Sequence, residues 1–317
     1  MTGLNVLSLF DGMSCGRIAL ENAAIPVNQY FSSEVDKYAI QVSQENYPEI
    51  IQLGDIQNWK DWGIDLSKID LVIGGSPCQG FSFSGRGLAF DDPRSKLFFT
   101  FADIVSEIKK LKPDVKFLLE NVRMKKEYSD IISGYLKVDP IRINSALVSA
   151  QNRVRDYWAN WKFIPPEDKG LVLSDIIIGD YIKISKKGVY KKDQHKASCL
   201  TGGGHSGGNH SDMDLIGQQM HHIGNATDIK GFDIIKRIYA QYGKSPTLTT
   251  MTGGHRHPQI ALNDYDYRRL TPLECERLQT VPENYTNHVS NTQRYKMLGN
   301  GWTVDVITHI LGELYND

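Results

Sequence analysis

The chain lacks several features that define other classes of protein. Its 317 residues contain no apolar run of eighteen or more, and the N-terminal segment MTGLNVLSLF lacks the basic start and long apolar block of a secretory signal. The four cysteines, Cys15, Cys78, Cys199 and Cys275, form no CxxC pair, which argues against a zinc ribbon or a disulfide framework. We therefore expect a cytoplasmic protein that needs no metal and has at least one thiol free for chemistry.

The sequence also lacks an excess of positive charge. Its formal net charge is −1 at pH 7, unlike the strongly basic balance of proteins that coat nucleic acid. A nucleic-acid site would therefore be a local patch, and the segment YIKISKKGVYKKDQHK at 181–196 offers six lysines against one aspartate. The same segment also fits a solvated lysine-rich loop or edge strand, so both interpretations stay open.

Apolar strand-like segments alternate with helical ones in the first half of the chain. The strand-like segments are LNVLSLF, QYFSSEV, IDLVIGG and KFLLENV. Between them, residues 17–22, 37–46 and 96–111 carry apolar side chains at three- and four-residue spacings, which is typical of amphipathic helices. This alternation predicts an α/β fold with a parallel sheet covered by helices.

Changes in residue composition and in helical patterning divide the chain into three parts. Glycine and histidine clusters replace the alternation after about residue 160, including two similar segments, KASCLTGGGH and KSPTLTTMTGGH. Helical patterning resumes in RRLTPLECERLQ, where Thr271 is a candidate N-cap, with Pro272 at the first helical position and Glu274 at the third. We predict a first domain at 1–160, a smaller loop-rich domain at 161–265, and a helical segment at 266–317 that completes the first domain.

Acidic residues follow two successive predicted strands. Glu34 lies 22 residues after Gly12, where an acidic side chain reaches ribose hydroxyls, and Asp55 could accept from an adenine amino group. Each acid could instead be a helix N-cap. The first turn reads FDGxxxG rather than GxGxxG, which argues against a dinucleotide. Together these features favour an adenosine ligand without phosphates.

A cysteine follows the strand in IDLVIGGSPCQGFS. Gly74 and Gly75 let the backbone turn, and Pro77 fixes the direction in which Cys78 leaves the sheet. A helix start or an arginine nearby would favour the reactive thiolate. A buried, inert cysteine is the alternative for this residue taken alone.

These motifs, in this order, resemble those of the DNA cytosine-5 methyltransferase family. The matching segments are FDGMSCG, SEV, GDI, SPCQGFS, LLENV, QNRVRDYW, RRLTPLECERLQTVP and LGNGWTVDV. The resemblance implies a Rossmann-like S-adenosylmethionine-dependent methyltransferase sheet at 1–160, a target-recognition domain at 161–265 and a completing segment at 266–317. It also implies S-adenosylhomocysteine as product, double-stranded DNA as partner, and a monomeric modification enzyme of bacterial or phage type.

The resemblance assigns roles to individual residues. Cys78 would add to C6 of a flipped cytosine, Glu120 would hold the base, Arg155 would contact its O2, and Arg153 would brace a carboxylate or phosphate. Residues implied in cofactor binding are Phe10, Asp11, Gly12, Met13, Ser14, Glu34, Val35, Asp55, Ile56, Pro77, Leu97, Asn300, Gly301 and Trp302. Residues implied in DNA binding are Gln79, Ser82, Arg86, Arg94, Thr247, Leu248, His255 and Arg256.

The sequence departs from the family pattern at one motif and leaves alternatives open. Gly301 and Trp302 follow Asn300 where the family usually has a serine, which puts their cofactor contacts in doubt. A tRNA cytosine methyltransferase, a catalytically silent DNA-binding protein and a nucleotide-dependent oxidoreductase are alternatives. A histidine-rich metal site at 255–257 is another, although no cysteine or acidic partner lies suitably close. A middle region of about a hundred residues favours duplex DNA over tRNA.

Overall fold

Seven strands form the main sheet of the protein. The computed structural model describes residues 3–76, 96–178, 188–192, 220–251, 257–262 and 266–315. The strands are β1 (Leu4–Leu9), β2 (Val27–Ser33), β3 (Ile51–Gln52), β4 (Leu71–Gly75), β5 (Lys116–Val122), β6 (Ile141–Asn144) and β7 (Val154–Ala159). Their order is β3-β2-β1-β4-β5-β7-β6, and β1 to β5 are parallel. The predicted α/β fold is confirmed, and the four strands predicted in the first half of the chain are parallel, whereas β7 runs antiparallel to both neighbours.

Helices cover both faces of this sheet. They are α1 (Cys15–Asn22), α2 (Lys37–Asn46), α3 (Lys96–Leu111), α4 (Lys126–Leu136), α5 (Leu173–Ile176), α6 (Pro272–Leu278), α7 (Asn291–Asn300) and α8 (Val304–Gly312). Successive side chains of β1 point to opposite faces, so Val6 belongs to one apolar core and Leu7 to the other. The first core includes Ile18 of α1 and Ile307 of α8, and these two helices pack together.

The helix α6 begins as the sequence predicts. The Thr271 hydroxyl accepts from the backbone N–H of Glu274, and the Glu274 carboxylate accepts from the backbone N–H of Thr271. Arg268 donates to the same carboxylate at 2.6 and 2.7 Å. The predicted cap is therefore confirmed, and it also joins α6 to the strand that precedes it.

A second, smaller sheet closes into a five-stranded barrel. Its strands are β8 (Gly188–Lys192), β9 (His222–Ala226), β10 (Arg237–Tyr239), β11 (Gln259–Ala261) and β12 (Asp266–Arg269), in the order β10-β11-β12-β8-β9. The last strand passes the predicted boundary at 265. Most of the lysine-rich segment at 181–196, and the segment KASCLTGGGH, lie outside the described residues.

Candidate active site at the carboxyl edge of the sheet

The loop after β1 is sharply folded at the edge where the parallel strands end. Phe10, Gly12 and Ser14 all have positive φ, at 59°, 59° and 63°. Residues other than glycine rarely adopt this backbone conformation, so other contacts must hold Phe10 and Ser14 in it. One such contact is the Tyr285 hydroxyl, which donates to the carbonyl of Met13 at 2.7 Å.

Asp11 is the centre of a buried hydrogen-bond network inside this loop. Its carboxylate is 8% exposed, and each oxygen accepts from two hydroxyls. The donors are Ser8, Ser14, Tyr30 and Ser32, at 2.5, 2.5, 2.8 and 2.8 Å. Burial raises the pKa of Asp11, which the four hydroxyls partly oppose. Asp11 and the Ser14 hydroxyl therefore shape the loop from inside, which differs from the direct cofactor contact that was expected.

Replacing Asp11 with asparagine tests this structural role. An amide nitrogen accepts no hydrogen bond, so two of the four buried hydroxyls lose their acceptor. We expect the free energy of unfolding to fall by about 1 to 3 kcal/mol, measured by urea denaturation. Asp65→Asn, at an exposed carboxylate that accepts from Ser67, is the control and should change stability much less. Equal stability of Asp11→Asn and the unmodified protein would contradict the role of Asp11.

Glu34 ties the end of β2 to the loop after β1. Its carboxylate accepts from the backbone N–H groups of Gly12, Val35 and Asp36 at 2.7, 2.7 and 2.8 Å. Asp36, rather than Glu34, is the N-cap of α2, so the N-cap alternative for Glu34 was wrong. The carboxylate is fixed in orientation by these three donors and retains one lone pair on the oxygen that accepts from Gly12. Beside it, the apolar side chain of Val35 is 70% exposed, so it offers an apolar surface at this edge of the sheet.

Asp55 caps a short 3-10 helix at the end of β3. Its carboxylate accepts from the backbone N–H of Gln57 at 2.9 Å, which confirms the N-cap alternative for this residue. The cap leaves the second carboxylate oxygen with a longer contact of 3.5 Å to the Gln57 amide. Asp55 can therefore cap the helix and still accept from a ligand.

The other predicted cofactor residues occupy mixed environments. Met13 and Ile56 are buried, and Leu97 is half-buried against the core of the second face. Asn300 is exposed at the end of α7, and the carbonyl of Gly301 accepts from Arg153 at 3.0 Å. The side chains of Met13 and Ile56 thus support the site from within rather than line its surface.

Glu120 lies at the carboxyl end of β5, directly opposite Gly75 at the end of β4. One carboxylate oxygen is 2.9 Å from Nε of Arg155, and the other accepts from Nε1 of Trp302 at 3.1 Å. The carboxylate is 8% exposed. A partly buried ion pair with a further hydrogen-bond donor holds one geometry, so Glu120 is fixed toward the edge of the sheet.

Asn121 fixes the chain that leads from β4 to the predicted nucleophile. Its side-chain amide donates to the hydroxyl and the carbonyl of Ser76, at 3.0 and 3.3 Å. Sequence analysis missed Asn121, although a polar residue inside the buried strand KFLLENV was a usable signal.

The predicted residues that lie outside the described residues are Pro77, Cys78, Gln79, Ser82, Arg86, Arg94, His255 and Arg256.

Arg153 differs from the expectation that it braces a carboxylate or a phosphate. It is 3% exposed, and its guanidinium donates to the carbonyls of Leu248, Gly299 and Gly301 at 3.3, 3.3 and 3.0 Å. Burial, followed by the charge of Arg155, lowers the pKa of Arg153. Arg153 therefore joins β7 to the segments around residues 248 and 300, and acts on the site through their positions.

The segment at 244–248 is anchored to the first domain. Nζ of Lys244 is fully buried and donates to the carbonyls of Ala146, Ser149 and Leu171. Thr247 donates to the carbonyl of Asn152 at 2.6 Å. Leu248 is 1% exposed, so its predicted DNA contact was wrong for the side chain. Because both residues hydrogen-bond to residues 151–153, the Thr-Leu pair connects the segment at 244–248 to the chain just before β7.

Gln279 is a second buried residue that sequence analysis missed. Its amide nitrogen donates to the carbonyls of Leu298 and Gly301 at 2.5 and 3.1 Å, and its oxygen accepts from Thr303 at 2.9 Å. It thereby supports the turn that carries Trp302. A lone glutamine between apolar residues in ERLQTV was the available signal.

Within the described residues, no helix is both long and apolar enough to cross a membrane. No group of three or more histidine, cysteine, aspartate or glutamate side chains is arranged to bind a metal ion in the same part of the chain.

Solved structures of methyltransferases share this fold. A prophage-encoded DNA modification methyltransferase from E. coli matches with a TM-score of 0.66 and 21% identity, covering 99% of both chains. A Dnmt2 methyltransferase from S. pombe matches with a TM-score of 0.67 and 17% identity, covering 99% of this chain and 98% of its own. The mixed sheet with its polar carboxyl edge is therefore a fold shared with solved methyltransferases.

Sequence comparison then places the chain in one family. It belongs to the C-5 cytosine-specific DNA methylase family, whose sequence model matches residues 4–130 and 150–316. The type II methyltransferase M.HhaI of Haemophilus parahaemolyticus is 27% identical over 98% of this chain and 94% of its own length. The orphan methyltransferase M.Rho11sI of Bacillus phage rho11s is 25% identical over 99% and 98%. The predicted family, fold class and enzyme class are confirmed.

Proposed function

We propose that this protein methylates C5 of a cytosine in a short specific site of duplex DNA, through a covalent bond between Cys78 and C6 of the flipped base. The observation that supports the proposal most is the fixed Glu120 carboxylate beside the end of β4, from which the chain continues to Cys78. The described chain ends at Ser76 on this edge, and Cys78 follows two residues later in the sequence.

The chemistry requires a nucleophile because cytosine C5 is itself a weak one. Addition of the Cys78 thiolate to C6 forms a C–S bond and makes C5 an enamine carbon, while charge moves toward N3. Glu120 would hydrogen-bond at N3 or accept from the exocyclic amine, and Arg155 would contact O2. C5 then takes the methyl group, a base removes the C5 proton, and the C–S bond breaks to regenerate the cysteine.

The residues at the ends of β1, β2 and β3 fit S-adenosylmethionine. Glu34 offers a carboxylate oriented by three N–H groups, Val35 an exposed apolar surface and Asp55 a second acceptor. These groups suit ribose hydroxyls and an adenine ring, and none of them needs a phosphate partner. When bound, the cofactor supplies an electrophilic methyl sulfonium.

Duplex DNA conceals C5 and C6 within stacked bases, so the target cytosine must rotate out of the helix. The cost is a few kcal/mol per base, which contacts elsewhere along the DNA offset. Arg123 is placed to supply one such contact. It follows β5 directly, is exposed, and makes no hydrogen bond or ion pair within the part of the chain that the structure describes. Lys125 adds a second exposed charge, only loosely paired with Glu127 at 3.6 Å.

Arg123→Ala should weaken DNA binding without changing sequence preference. A phosphate contact carries no sequence information, so affinity should fall for all duplexes. The slope of log Kd against log salt concentration should decrease in magnitude by about one. Fluorescence anisotropy over a range of salt concentrations measures both quantities. Lys110→Ala, at an exposed lysine near the far end of α3, is the control that removes the same charge. An unchanged salt dependence in Arg123→Ala would argue against a phosphate contact.

The substrate assignment is tested by labelled methyl transfer. The protein is incubated with methyl-labelled S-adenosylmethionine and either duplex DNA or tRNA, and methylated positions are then sequenced. We expect label in C5 of cytosine at one short DNA motif. Label found in tRNA alone would overturn the DNA assignment, and no label in either would overturn the proposed activity. We further propose that the protein acts as a monomer in the cytoplasm, as the family resemblance implies.

A further inference from the structure

Trp302 lies where three parts of the active site meet. Its indole Nε1 donates to Glu120 of β5 at 3.1 Å. Its ring lies against two glycines: a Cβ at Gly75 would stand 2.8 Å from Nε1, and one at Gly16 would stand 3.5 Å from the ring. Trp302 is 8% exposed, so this arrangement is packed rather than solvated.

The backbone of β5 alone cannot orient the Glu120 carboxylate. The terminal torsion of a glutamate is broad, so a fixed Cα leaves the plane of the carboxylate free to turn. Arg155 holds one oxygen at 2.9 Å, and Trp302 holds the other. With both donors in place, the plane has a single orientation. Loss of either donor leaves one oxygen without its protein partner in a site with little water.

We propose that Trp302 is a positioning residue, which orients Glu120 toward the target base instead of serving only as a wall of the cofactor site. This inference rests on the proposed function, because Glu120 is its point of action. The glycine at position 75 belongs to the same arrangement, since any side chain there would meet both Nε1 of Trp302 and, at 3.1 Å, the Glu120 carboxylate.

Trp302→Phe removes the donor and keeps most of the ring. We expect kcat at saturating DNA and cofactor to fall about 10- to 100-fold, the effect of losing a hydrogen bond to a charged group. The Kd for S-adenosylmethionine, measured without DNA by calorimetry, should change by less than about threefold. The two readouts separate a positioning role from a cofactor wall, because a wall residue would alter Kd and leave kcat intact.

Trp161→Phe is the matched control. Trp161 is also buried, and its Nε1 donates to the carbonyl of Ile310 at 3.0 Å, away from Glu120. This variant loses the same kind of hydrogen bond, so it should lose similar stability and retain kcat. A kcat for Trp302→Phe equal to that of Trp161→Phe would overturn the inference.

A second comparison tests whether Trp302 acts through Glu120. In a Glu120→Gln background, Trp302→Phe should lower kcat by less than about twofold, because the group that it orients is already altered. A further loss as large as in the unmodified protein would mean that Trp302 acts elsewhere, and would overturn the inference. An inactive unmodified protein would overturn the proposed function together with this inference, whereas an active one isolates the role of Trp302.

Discussion

Cys78→Ser is expected to abolish methyl transfer and to leave DNA binding largely intact. A serine hydroxyl is rarely ionised near neutral pH and is a far weaker nucleophile than a thiolate, so the addition to C6 should not occur. Removing a nucleophile that forms a covalent intermediate costs roughly four orders of magnitude or more in kcat. Transfer of label from S-adenosylmethionine measures the loss of activity. A gel shift with a duplex that contains the target site measures DNA binding.

Cys275→Ser is the control for this variant. Cys275 is fully buried in α6, so the added hydroxyl should reduce stability while turnover per folded molecule is retained. A duplex carrying 5-fluorocytosine adds an independent readout, because fluorine cannot leave C5 as a proton does. It should become covalently attached to the unmodified protein and not to Cys78→Ser. Near-normal turnover in Cys78→Ser would refute the covalent mechanism.

Glu120→Gln is expected to lower kcat by about 10²- to 10⁴-fold, the range typical of losing a positioned acid or base. Glutamine carries no negative charge, so the ion pair with Arg155 is lost. Its amide nitrogen would also face one of the two donors, Arg155 or Trp302, and displace it. Single-turnover rates at saturating DNA isolate this effect on the chemical step.

Glu127→Gln controls for the loss of a negative charge near the site. Glu127 is exposed in the first turn of α4 and only loosely paired, so its replacement should leave the single-turnover rate unchanged. Equal rates for Glu120→Gln and the unmodified protein would exclude a role for this carboxylate in the reaction.

Local patterns predicted the elements that depend on local forces. The bounds of α2 and α3 match the helical spacings in the sequence, and the cap of α6 follows from Thr271 and Glu274. The predicted end of β2 likewise gave the position of Glu34 at the carboxyl edge of the sheet, since parallel strands present their carboxyl ends at one edge. These features need no knowledge of distant residues, which is why one sequence was sufficient.

Arg153 shows what local patterns could not predict. An Arg-Val-Arg pair suggests two side chains on one face of a strand, but β7 begins only at Val154. The carbonyls that Arg153 binds belong to Leu248, Gly299 and Gly301, far along the chain. A backbone carbonyl has no signature in the sequence. The sequence therefore could not distinguish a buried arginine that binds carbonyls from an arginine of the active site.

The direction of β7 was left unpredicted for a different reason. Strand-like composition does not reveal whether a strand runs parallel or antiparallel to its neighbour. The connection from β6 to β7 spans only residues 145–153, however, and a parallel pair needs a crossover of a dozen or more residues. Connection length was therefore the signal that would have predicted the antiparallel pair.

The anchoring of residues 244–248 limits how the barrel of this protein can be exchanged for that of a relative. Lys244 donates to the carbonyls of Ala146 and Ser149, and Arg153 donates to the carbonyl of Leu248, so exchanging the barrel together with 244–248 would break these buried hydrogen bonds. Buried polar groups left without a partner are strongly destabilising. A workable chimera would keep 244–248 with the recipient sheet and graft only the strands and turns beyond it.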